Sequence, residues 1–133
     1  MQEKYLFEYA VIRIVPKVER EEFINAGVVL YCAKQKFLQM RFYVDEKRLI
    51  TFSPTLNIPE IYEYLGAFQR ICNGDKGSSD IAKLPIAERF RWLTATRSTV
   101  VQTSKVHPGF CDDAADMIEK LYHQLVLMEG IAG

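Results

Sequence analysis

The sequence of 133 residues has no long apolar run and no excess of charge of either sign. Its 17 basic and 17 acidic side chains cancel, so it lacks the general attraction to nucleic acid or anionic membranes that a basic excess provides. No stretch approaches the roughly 18 to 20 apolar residues that span a bilayer, and the N-terminal run is too short for the core of a signal peptide. We therefore expect a cytoplasmic protein, and we expect neither a membrane nor a nucleic-acid partner.

Cysteine is also scarce, and its positions exclude two common uses. Cys32, Cys72 and Cys111 form no CxxC pair and no zinc-finger spacing, which predicts buried thiols rather than a disulfide framework. A metal site or a base and nucleophile pair built from His107, Cys111 and the next two aspartates would need side chains to converge across a Pro-Gly turn and a helix start. We expect no metal and no cofactor.

Three runs in the first third of the chain have the composition of strands. Residues Tyr5 to Val15 are rich in aromatic and β-branched side chains and end before Pro16, which cannot donate a ladder hydrogen bond. The run INAGVVLYCA (24–33) is nearly all apolar and predicts an inner strand buried on both faces, with Gly27 at a bulge or a close backbone approach. A third strand, FLQMRFYVD (37–45), follows a short KQK turn.

Helical spacing dominates the rest of the chain. A short helix within DEKRLITFS precedes a longer one in NIPEIYEYLGAFQRICNG, which Asn57 and Gly74 cap. A third helix, the short strand TVVQTS and a break at Pro108-Gly109 lead to the last helix. This order predicts one α+β domain over residues 1–133, with a small antiparallel sheet of about four strands and helices packed mainly on one face.

Two long segments carry a family resemblance. YAVIRIVPKVEREEFINAGVVLYC and RFRWLTATRSTVVQTSKVHPGFCDD resemble the uncharacterised bacterial family catalogued as domain of unknown function 3037 (DUF3037), and together with their spacing they cover nearly the whole chain. The resemblance implies no activity, cofactor or catalytic residue. Its members look to be encoded often beside HipA-like kinase-fold proteins, which implies a protein partner of that kind.

Hydrogen-bonding side chains are dense in the second of these segments. Arg91 and Arg97 flank a helix end and offer planar donors suited to carboxylate or phosphate. Because alternate residues of a strand share a face, Ser98, Gln102 and Ser104 would line one polar face beside them. The alternative is a strand with one solvated face, in which Arg97 forms a salt bridge with a nearby carboxylate.

Three further side chains belong to the candidate binding set. His107 lies beside the Pro-Gly turn, where an imidazole could act as acid or base at the edge of a cleft. Glu22 and Asn25 lie at the start of the second strand, and Asn25 suits either a turn or a ligand contact. If the two segments are close in space, Glu22 could orient Arg91 or Arg97.

Two functions are consistent with these residues. The first is a small binding or adaptor domain that engages a protein partner, such as a HipA-like kinase-fold protein, and has a local groove for an anion. The second is an enzyme that acts on a phosphorylated or nucleotide-like small molecule through Arg91, Arg97, Gln102 and His107. The first is favoured because the sequence contains no recognisable set of nucleophile, base and orienting group.

Overall fold

A computed structural model describes residues 4–127, which form an antiparallel sheet with helices on both faces. The strands are β1 (Tyr5–Ile14), β2 (Ile24–Cys32), β3 (Phe37–Phe42), β4 (Val101–Thr103) and β5 (His107–Cys111). The helices are α1 (Glu46–Phe52), α2 (Ile58–Asn73), α3 (Ile86–Leu93) and α4 (Ala114–Tyr122), which continues into a π-helical turn (His123–Leu127). The predicted α+β class is confirmed, and no helix among the described residues is long and apolar enough to cross a membrane.

The sheet has five strands because β1 pairs with two short strands along one side. The order is β3-β2-β1, and β4 and β5 lie end to end on the free side of β1, antiparallel to it. The predicted break at Pro108-Gly109 is wrong, since HPGFC is β5. Pro108 is tolerated because β5 is an edge strand, where a missing N–H costs no ladder bond on the open side. Gly109 is required there because a Cβ would come within 2.6 Å of the buried Phe7 ring.

The inner strand β2 confirms the prediction of burial on both faces. Ala26 packs with the residues under α1, α2 and α3, whereas Val28 packs against α4. This change of face follows from a register shift between β1 and β2 at Ile12, beside Gly27. A Cβ on Gly27 would lie 2.5 Å from the Arg41 carbonyl oxygen, so both the expected bulge and the expected close approach are present.

Helices cover the sheet unequally. Helices α1, α2 and α3 pack on one face, which we call the α1–α3 face, and α4 covers the other, the α4 face. Three of the four helices thus share a face, in agreement with the sequence prediction. The predicted caps of α2 are also confirmed, since the Asn57 side chain accepts from the Glu60 N–H and Gly74 adopts a left-handed φ of 70°.

The three cysteines are buried free thiols on these two faces. Burial raises the pKa of the Cys72 thiol from 9.0 to about 12, so it stays protonated at neutral pH. Among residues 4–127 no group of three or more histidine, cysteine or acidic side chains is placed to hold a metal ion.

Candidate functional site

Arg97, a central member of the sequence-predicted set, is committed to the end of α3. Its guanidinium donates to the carbonyl oxygens of Leu93 at 2.9 Å and Trp92 at 2.7 Å. It also lies over the rings of Phe68 and Trp92, and burial lowers its pKa. A cation at this position interacts favourably with the negative end of the helix. Arg97 therefore does not form the predicted salt bridge with a carboxylate, and the donors bonded to these carbonyls are not available to line a groove for an anion.

Ser104 is committed to the sheet. The Ser104 hydroxyl accepts the Val11 N–H at 2.8 Å, and the Ser104 backbone N–H donates to the Val11 carbonyl at 2.8 Å. The hydroxyl donates in turn to the Lys105 carbonyl. Ser104 thus continues the ladder between β4 and β5 and is buried. The predicted polar strand face is shorter than expected, because β4 comprises only Val101–Thr103. Ser98 precedes that strand and is exposed.

The remaining predicted side chains do not converge on one pocket. Arg91 is exposed on α3, and Glu22 forms an ion pair with Arg20 rather than with either predicted arginine. His107 is exposed on β5, where its ring centroid is 5.4 Å from that of Tyr9 on the α4 side of the sheet. Only Asn25 and Gln102 are brought together, and they meet across a residue that sequence reasoning missed.

That residue is Arg13, in the middle of a row of three polar side chains across the sheet. Arg13 of β1 pairs directly with Asn25 of β2 on one side and with Gln102 of β4 on the other. We call these three residues the arginine row. The row lies on the α4 face, because the Asn25 amide donates to the Leu125 carbonyl in the π-helical turn at 3.1 Å.

The arginine row contains two buried polar atoms without a hydrogen bond. They are Nε of Arg13 and Oδ1 of Asn25. The Gln102 amide donates to the Thr99 carbonyl at 2.9 Å, and the Arg13 guanidinium lies 4.0 Å from the centre of the Phe23 ring. The available signal for Arg13 was a single cation inside the apolar run YAVIRIV, where an unpaired charge is costly.

A groove along α1 begins at the same Phe23. It consists of two hollows that share Phe52, one of about 540 Å³ that Phe23 also lines and one of about 320 Å³ that Pro54 also lines. We call these two hollows together the α1 groove. Phe23 is 43% exposed and Phe52 is 37% exposed, so two aromatic rings are presented to solvent within it.

The α1 groove carries more positive than negative charge. Its lining includes four basic side chains (Lys17, Arg20, Lys47 and Arg48) and two acidic ones, Glu22 and Asp45. Glu22 and Arg20 pair with each other, so the remaining charges are three basic side chains and Asp45, which accepts the Arg48 backbone N–H. The groove is therefore complementary to a segment that combines apolar and acidic side chains.

The fold is thus an α+β domain with one antiparallel sheet between two unequal helical layers. The profile of the DUF3037 family, described as a protein of unknown function, matches residues 9–126, and the chain belongs to that family. No curated protein and no solved structure matches the chain.

Proposed function

We propose that this protein is a bacterial, cytoplasmic binding or adaptor domain that engages a protein partner through the α1 groove. The observation that carries the proposal is the pair of exposed rings, Phe23 and Phe52, within a groove whose lining has a net positive charge. The occupant we propose is a segment of the partner with apolar and acidic side chains. The resemblance of the chain makes a HipA-like kinase-fold protein the first partner to test.

Both rings have the features of side chains that dominate binding energies. Aromatic side chains at the centre of an interface commonly cost about 2 kcal/mol or more when truncated to alanine. Phe52 lines both hollows of the groove, so a segment that occupied both would bury its ring. The basic side chains around it would raise the association rate for an acidic partner and make that rate sensitive to salt.

The alternative of an enzyme for a phosphorylated or nucleotide-like molecule is not favoured by a specific observation. It requires Arg91, Arg97, Gln102 and His107 to act on one substrate. Arg97 bonds the end of α3 on the α1–α3 face, whereas Gln102 and His107 are associated with the α4 face through Arg13 and Tyr9. The four side chains therefore do not line a common cleft.

The test is calorimetric titration of a purified HipA-like kinase-fold protein from the same genome with the wild-type chain and two variants. Phe52→Ala is expected to weaken binding about thirtyfold, the equivalent of about 2 kcal/mol. Phe110→Ala is the matched control, because Phe110 is 67% exposed on β5, away from the groove. Equal affinities of the wild type and Phe52→Ala, or a loss confined to Phe110→Ala, would contradict the proposed surface.

A further inference from the structure

We infer that the arginine row is a carboxylate-binding site, in which the Nη groups of Arg13 hold the carboxylate between Asn25 and Gln102. Its occupant would be an acidic side chain or a chain-terminal carboxylate of the partner, and this identification of the source rests on the proposed function. Phe23 connects the two features, because its ring covers the Arg13 guanidinium and also lines the α1 groove.

The other arginines of the chain provide an internal comparison. Four arginines are partly buried, and three of them have bonded guanidinium groups. Arg41 forms an ion pair with Glu119, and the guanidinium groups of Arg89 and Arg97 donate to backbone carbonyls. Arg13 has neither a hydrogen bond nor an ion pair within residues 4–127, whereas Arg89, whose Nε is likewise enclosed and unpartnered, still donates from Nη1.

Burial of a charged guanidinium without a hydrogen-bond partner is unfavourable. Loss of a proton does not relieve this cost, because arginine stays charged in proteins. The Phe23 ring attracts the charge from one side, but the face of a ring does not accept the N–H groups in the guanidinium plane. Nε is enclosed by protein, so the donors left for a planar acceptor are the two Nη groups. A carboxylate matches them with two parallel hydrogen bonds.

The neighbours of Arg13 define the ligand more closely. The arginine row holds one cation between two uncharged amides, which suits an anion with a single charge better than a phosphate dianion. Oδ1 of Asn25 is a buried acceptor without a donor, while its amide group is engaged by the Leu125 carbonyl. Because that oxygen has almost no accessible surface, the contacts with the ligand are left to the Nη groups of Arg13.

The experiment follows the side-chain N–H signals of Arg13, Asn25 and Gln102 by NMR at constant ionic strength. The probes are acetate, its uncharged analogue acetamide, N-acetylglycine as a chain-terminal carboxylate, and N-acetylaspartate N-methylamide as an acidic side chain. We expect saturable shifts with the three carboxylates and no saturation with acetamide. The tighter binder of N-acetylglycine and N-acetylaspartate N-methylamide identifies the source. Shifts that are absent, or equal for acetate and acetamide, would overturn the inference.

A substitution that supplies the missing anion from within the chain tests the same idea by stability. Gln102→Glu places a carboxylate on the residue paired directly with Arg13. The ion pair with a partly buried cation outweighs the lost neutral bond from the Gln102 amide to the Thr99 carbonyl, so the substitution is expected to raise the melting temperature and to weaken acetate binding at least about tenfold. Gln124→Glu, at an exposed position on the π-helical turn, is the control for added charge and should do neither. Equal effects of the two substitutions would contradict the inference.

Removal of the cation completes the design. Arg13→Met should abolish the acetate response of Asn25 and Gln102, whereas Arg91→Met, at an exposed arginine, should preserve it. If Arg13→Met does not fold, Gln102→Glu still decides. Loss of partner binding in Phe52→Ala without any carboxylate response would refute this site and leave the proposed function standing. Carboxylate binding by a chain that binds no kinase-fold protein would support this site and refute the proposed function.

Discussion

Truncation of Arg97 separates a structural role from a ligand-binding role. Arg97→Ala removes two hydrogen bonds from a cation to the carbonyls at the end of α3, and it uncovers the rings of Phe68 and Trp92. Each such bond contributes about 1 kcal/mol net, and the contacts with the rings add about 0.5 to 1 kcal/mol. Because Arg97 is only partly buried, we expect a total loss of about 2 to 3 kcal/mol in the free energy of unfolding.

Thermal and urea unfolding of purified variants measure this loss. A decrease of about 2 to 3 kcal/mol in a domain of this size lowers the melting temperature by roughly 8 to 12 °C. Arg97→Lys keeps the charge but not the planar fork, so we expect about half of the loss. Arg91→Ala, at an exposed position on the same helix, should change stability by less than about 0.5 kcal/mol. A wild-type melting curve for Arg97→Ala, or an equal loss in Arg91→Ala, would refute the reasoning.

Two more expectations follow from the packing. Gly109→Ala should lower the free energy of unfolding by about 1 to 3 kcal/mol in urea, because the new Cβ would lie 2.6 Å from Phe7. Gly77→Ala in an open loop is the control and should not lower it. Equal stability of both variants would contradict the close approach. Burial raises the pKa of Cys72 from 9.0 to about 12, so the unfolded chain releases this proton at lower pH than the folded chain. The associated stability is complete below about pH 9 and decreases as pH rises from there towards 12. Urea unfolding across this range should show a smaller decrease for Cys72→Ala, and identical pH profiles would exclude the effect.

Local sequence signals located most of the elements correctly because those signals act within a few residues. The caps of α2 need only Asn57 and Gly74, and a side chain or a left-handed φ at each end satisfies the free backbone groups of that helix. The apolar runs of β1 and β2 predicted strands because burial of their side chains dominates any arrangement that the chain can adopt.

The same local logic missed β5. A Pro-Gly pair is typical of a turn, and HPGFC contains one. Its strand conformation depends on the first half of β1, roughly a hundred residues earlier in the chain, and on an open edge where Pro108 needs no partner. Neither condition is visible in a window of neighbouring residues.

The candidate site shows this division most clearly. Sequence alone placed Asn25 at the start of a buried strand, Arg97 at a helix end, and Gln102 and Ser104 on one face of a strand, and it predicted a binding set from them. Tertiary structure decided their partners: Ser104 bonds Val11, 93 residues away, and Arg97 bonds the end of α3. Arg13 joined Asn25 to Gln102 because strand register, a long-range property, brings three distant residues into one row. A hydrogen bond needs atoms within about 3 Å of each other, and only the folded chain sets that distance between residues far apart in sequence.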